Sequence, residues 1–187
     1  MSEQIKYMSG ETGLYFRLTS TPTVSERVYA HLLDLAGEER TEAEVRAALG
    51  LTRSTCSAVL AHAARDGLVD SRRVGRTVLY RVNPLDPAVR QLKIAAAIRR
   101  AQVALRSVES SVDSAVLFGS ASRGEDGPES DIDLLVVTSS VGEVREELDA
   151  HPEIQAIVMT PVEHMRQIAE DATLVREAAG GIRILGD

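Results

Sequence analysis

A single cysteine, Cys56, in a chain of 187 residues excludes an internal disulfide and leaves no thiolate cluster for a metal. No apolar run reaches the roughly 18 residues that would signal a membrane span. The opening stretch, MSEQIKYMSGETG, has no basic region followed by an apolar one, so it does not read as an export signal. The expectation is a cytoplasmic protein with no membrane partner. His31, His62, His151 and His164 are scattered without the spacing of metal ligands, which makes them solvated or structural. Internal repeats and low-complexity tracts are missing as well. What is there is the composition of a globular chain, 44% hydrophobic and 26% charged, with apolar material for two modest cores.

The net charge of -7 is unevenly spread. Residues 1–83 hold 11 Lys and Arg against 10 Asp and Glu, a balance of +1, whereas residues 84–187 hold 10 against 18, a balance of -8. Within 52–82 there are six arginines and two aspartates. A basic segment beside an acidic half suggests one module that meets phosphate directly and another that meets it through a cation.

Along the chain, residues 1–22 contain one strand-like stretch, LYFRLT, and end at Pro22. Val24, Val28, Leu32 and Leu35 follow at helical spacing, with Gly37 as the stop. TEAE at 41–44 is a capping box that starts a short helix ending at Gly50. Thr52 caps a third helix whose buried stripe is Cys56, Val59, Leu60 and Ala63; there Cys56 reads as a small core residue rather than a redox switch. From 68 to 82 the period changes to alternation, with Val78, Tyr80 and Val82 on one face of a ribbon that turns at Gly75. Three short helices and a β-ribbon over 23–83 make a winged helix-turn-helix. One long helix is predicted over 86–110, with Ile94, Ile98, Ala101, Leu105 and Val108 as its stripe, in a bridging segment 84–110; it would pack on its own domains or form a dimer seam. A second domain, 111–187, reads as strand 113–118, a short helix opening at Gly119-Ser120, strand 131–138, helix 141–149, strand 154–159, helix 161–179 and a last strand, GIRILG. The fold class is α+β.

The stretch that carries chemistry is 116–137, VLFGSASRGEDGPESDIDLLVV. Asp131 and Asp133 sit in an otherwise greasy strand, and alternation puts both on one face. Two carboxylates side by side repel unless a cation lies between them, and a buried unpaired one is costly. Gly119-Ser120, then ten residues, then Asp-x-Asp, with flanking strands and an SRGE stretch, resembles the minimal nucleotidyltransferases, whose fold is like the palm of DNA polymerase beta.

That resemblance implies a nucleotide site built from Gly119, Ser120 and Arg123, with Asp131 and Asp133 as catalytic ligands of Mg²⁺ or Mn²⁺ and an NTP, with ATP the expected one, as cosubstrate. Gly119 would let phosphate oxygens reach the backbone, and the helix after it would present amides to them. Hard carboxylate oxygens suit Mg²⁺ shared with a triphosphate. Arg123 would either face the phosphates or brace the loop through Glu125 or Glu129. Active members of that superfamily carry a third carboxylate on the next strand; here the strand reads EIQAIVM, the aligned position is Gln155, and Glu153 is one or two residues early. A site without that acid would still bind Mg-nucleotide but lack a general base.

Residues 50–83 resemble the winged-helix regulators of the ArsR and MarR class, without the metal-sensing cysteine pairs of some ArsR members. The resemblance implies double-stranded DNA as partner, with Arg53, Ser54, Ser57 and Ala61 facing the major groove and Arg72, Arg73 and Arg76 at the ribbon tip meeting phosphates or the minor groove. A two-fold homodimer would suit palindromic half-sites. Three functions follow: a nucleotidyltransferase that moves a nucleoside monophosphate onto an acceptor, a transcriptional regulator whose transferase domain senses nucleotide without catalysis, and an antitoxin-like protein that modifies a toxin partner.

Overall fold

The computed structural model describes residues 23–127 and 130–186. LYFRLT, Pro22 and Glu129 lie outside the described residues. The chain divides between Val89 and Arg90 into two compact units.

In the first unit, α1 (Val24–Asp34), α2 (Glu42–Leu49) and α3 (Arg53–Arg65) pack on one another. Each helix starts where a side chain accepts the first free amides. Thr23 and Thr41 form capping boxes with Glu26 and Glu44, and the Thr52 side chain accepts from the Thr55 amide. Val28, Leu32, Leu33, Val45, Leu49, Leu60 and Val82 fill the interior, and Cys56 is buried at 0% exposure, a core residue as its stripe predicts. Burial also pushes the Cys56 thiol up, with the Glu42 charge adding to the effect. The ribbon is β2 (Asp70–Val74) and β3 (Thr77–Arg81), antiparallel, with Gly75 and Arg76 as its tip. A further strand, β1 (Arg40–Thr41), pairs with β3 through Arg40–Tyr80 and Thr41–Leu79, giving the order β1-β3-β2. The sequence reading misses β1 because two residues are too few to show a period.

The second unit is built on a four-stranded sheet in the order β6-β5-β4-β7. Its strands are β4 (Ser114–Phe118), β5 (Ile132–Val137), β6 (Ile154–Met159) and β7 (Ile182–Leu185). β5 runs antiparallel to β4 and parallel to β6, and β7 is antiparallel to β4. The parallel step needs a crossover, which α5 (Val141–Asp149) supplies. Ala115, Leu117, Ile132, Leu134, Val136 and Val158 face α5 and the body of α4 (Pro87–Leu105), where Ala97, Ala101, Ala104 and Leu105 close the core. The opposite face holds Phe118, Leu135 and Met159 against Ala178 and Leu174.

Two predicted helices differ in length. The one over 86–110 ends at Leu105, and a 3-10 turn, Glu109–Ser111, leads into β4. The one over 161–179 is two: α6 (Pro161–Ala169), capped by Thr160 and Glu163, and α7 (Thr173–Ala179). They break where Asp171 takes a positive φ of 49°, a conformation Asp tolerates better than most residues. The break lets Leu174 and Ala178 reach the sheet.

Candidate functional site

β5 presents Ile132 and Leu134 to the core, so by alternation Asp131 and Asp133 take the other face, the one α7 covers in part. Asp131 lies just ahead of the strand and is exposed; Asp133 is half-buried. In the ladder Asp133 stands opposite Phe118 on one side and Gln155 on the other. Burial is the larger reason that the Asp133 carboxyl is held above its ordinary range, and the charges of Asp131 and Glu177 add to it. The negative charges of Asp131 and Glu177 are thus felt at the Asp133 carboxyl.

Gly119 follows β4 with φ of +69°, and a Cβ placed on it would stand 2.1 Å from Oδ2 of Asp133. The carboxylate occupies the volume where any other residue would have a side chain. The positive φ favours glycine here, and any side chain at 119 would have to displace the Asp133 carboxylate.

The helix predicted at Gly119-Ser120 is a single 3-10 turn, Ala121–Arg123, so a full helix dipole is not available to the site. The turn is held from within. Arg123 and Glu125 amides donate to the Ser120 carbonyl at 3.0 Å, and Ser122 Oγ donates to the Gly119 carbonyl at 2.8 Å. Arg123 adopts the bracing arrangement: Nη1 donates to the Gly119 carbonyl and Nε to Glu125 Oε2, each at 2.8 Å. Ser120 makes no capping hydrogen bond with its side chain, which leaves its hydroxyl for another acceptor or donor.

A model of the nucleotidyltransferase domain family matches residues 98–165, from the second half of α4 into α6. The chain carries a nucleotidyltransferase domain. No curated protein matches the chain. Gly119, Ser120, Arg123, Asp131, Asp133 and Gln155 all fall inside the matched stretch of the nucleotidyltransferase domain, whereas Glu177 lies beyond it. Sequence reasoning misses Glu177, because nothing in a predicted helix over 161–179 says which of its charges will be felt at Asp133.

Among the described residues no group of three or more His, Cys, Asp and Glu is arranged to hold a metal ion. Mg²⁺ is often held by one or two carboxylates together with substrate phosphates, and Asp131 and Asp133 are the residues that could hold it here. Gln155, level with Asp133, brings an amide and no charge.

In the first unit, Arg53, Ser54, Ser57 and Ala61 are exposed on α3, and Arg53 Nε lies 3.8 Å from Glu42. Arg73 and Arg76 are exposed on the ribbon, as is Arg72. Arg72 differs from them: it binds Glu39 with Nε and Nη2, one to each carboxylate oxygen. That fork holds the Glu39 carboxyl below its usual range. Arg72, though exposed, is thus paired with Glu39. Among the described residues no helix is long and apolar enough to cross a membrane.

Proposed function

We propose that the nucleotidyltransferase domain binds an NTP with Mg²⁺ or Mn²⁺ at Gly119, Ser120, Asp131 and Asp133 and transfers a nucleoside monophosphate to an acceptor hydroxyl. The observation that carries this reading is the seating of Gly119 against the Asp133 carboxylate, which also feels the charge of Asp131. Asp131 and Asp133 hold the cation, which when bound supplies positive charge to the phosphates and the leaving pyrophosphate. Gly119 leaves backbone open to phosphate oxygens, and Ser120 adds a hydroxyl donor. Arg123 fixes the turn that carries both. ATP is the probe of choice among the NTPs.

The same reading makes the first unit a winged helix-turn-helix that binds double-stranded DNA. Arg53, Ser54, Ser57 and Ala61 of α3 face the major groove, Arg73 and Arg76 reach phosphates, and Arg72 steadies the ribbon through Glu39. A two-fold homodimer would present two such helices to palindromic half-sites.

Gln155 supports a second reading, in which the domain senses nucleotide and regulates transcription without catalysis. An amide level with Asp133 takes no proton from an acceptor. One set of measurements separates these. Wild-type protein is expected to bind ATP or another NTP only with Mg²⁺ or Mn²⁺, and the Asp131→Asn, Asp133→Asn variant to lose that binding; equal binding by the variant rejects the site. Incubation with labelled NTPs and host lysate then decides the class. Label on an acceptor establishes transfer, and binding without label favours the sensor.

A further inference from the structure

Lys93, in the second turn of α4 and only 4% exposed, is the most deeply buried charge among the described residues. A buried ammonium needs a partner to offset its lost hydration. It has two on one residue: Nζ donates to the Asp126 carbonyl and lies 3.3 Å from Asp126 Oδ1, an ion pair without hydrogen-bond geometry. Asp126 belongs to the loop that follows Gly119-Ser120.

The contacts beside it run in the same direction. Gly124, with φ of +66°, would put a Cβ 2.4 Å from the Arg90 carbonyl, so the loop backbone lies directly on α4. Arg90 Nη2 is 4.0 Å from Glu125 Oε1, and Glu125 in turn accepts from Arg123 Nε. Arg123 also holds the Gly119 carbonyl, and Gly119 abuts Asp133. Loop residues 124–126 are thus seated on one helix, and the chain of contacts from that seat ends at the carboxylate. Lys93 and Arg90 precede the stretch matched by the family model.

We propose that Lys93 is a positioning residue for the nucleotide site: by clamping Asp126 to α4 it fixes the turn that carries Gly119, Ser120 and Arg123 relative to Asp133. This rests on the nucleotide-site reading given above. A merely structural role would lower global stability and leave nucleotide affinity alone; positioning loosens the turn selectively and weakens affinity.

The test uses the full chain and the variant Lys93→Met, which keeps the length of the side chain and removes the charge. Mg-ATP affinity is measured by titration, and hydrogen exchange is followed across 119–127. The expected result is a rise in Kd on the order of tenfold, the scale seen for groups one step removed from a ligand. Exchange of the Arg123, Gly124 and Glu125 amides should quicken by a similar factor while β5 and α5 keep their protection. An unchanged Kd overturns the proposal, with or without faster exchange. If the wild type itself binds no Mg-NTP, the nucleotide-site reading fails, and the exchange result alone then decides whether Lys93 holds the turn. Should Lys93→Met not fold, Asp126→Asn undergoes the same comparison, because it keeps the carbonyl bond and removes only the charge of the pair.

Discussion

At the scale of single residues, the pair Gly119 and Asp133 makes the sharpest claims. Replacing Gly119 with alanine puts a methyl group where the Asp133 carboxylate lies, on a backbone with φ of +69°. The strain and displacement together should destabilise the protein by about 1–3 kcal/mol and remove Mg-NTP binding; denaturant titration and a binding isotherm check the two effects separately. Asp133 has a pH signature with a definite sign. Its carboxyl holds its proton more tightly in the fold than in the unfolded chain, chiefly through burial and then through Asp131 and Glu177. Stability from this group is therefore complete below the ordinary aspartate value of about 3.9 and is lost as pH rises through the raised native value. At neutral pH without metal, Asp133→Asn should melt above the wild type, with the gap closing toward acid pH. Added Mg²⁺ with ATP should stabilise the wild type and not the variant. That the charges of Asp131 and Asp133 act on each other is legible in the sequence from strand alternation. The contact of Asp133 with Gly119 is not, because it joins two strands across a loop.

At the scale of elements, the termini that start with Thr and carry Glu three residues on are written locally, and those signals place α2 and α6 correctly. Thr160→Ala removes the acceptor of the Glu163 amide and should lower stability by about 1 kcal/mol, read from thermal or denaturant unfolding. Strand β6 is likewise legible end to end, since its apolar residues are bounded by His-Pro before and Thr-Pro after. The break between α6 and α7 is not. Residues 161–179 keep helical character throughout, and only the gain from packing Leu174 and Ala178 on the sheet makes the chain turn at Asp171. The same turn lets the Glu177 charge act on Asp133, and an error in one helix boundary hides that effect. The ribbon shows the reverse case: its arginines are plain in the sequence, but the partner that commits Arg72 sits 33 residues earlier at Glu39.

At the scale of the whole molecule, charge differs between the two units: residues 1–89 hold 11 Lys and Arg against 11 Asp and Glu, and residues 90–187 hold 10 against 17. An acidic half repels DNA unless a basic surface directs the encounter, so binding through the ribbon should depend steeply on salt. Replacing Arg73 and Arg76 with alanine is expected to weaken binding to promoter DNA and to reduce the slope of log K against log salt by about 2, one for each lost phosphate contact. Equal slopes for variant and wild type would remove these arginines from the interface. Arg72→Ala should act differently, loosening the ribbon by releasing Glu39.

The sequence by itself determined the α+β class, the order of nearly all the elements, and the Gly-Ser and Asp-x-Asp residues of the nucleotidyltransferase domain. Each of these is encoded in short-range periodicity, caps or spacing along one stretch of chain. Only the tertiary structure decided that Asp133 fills the space beside Gly119, that Glu177 adds its charge there, that Arg72 is bound by Glu39, and that Lys93 pins the site loop to α4. Those contacts join residues far apart in the chain, and burial and charge pairing select them once the elements have met; no local pattern records which residues will be neighbours.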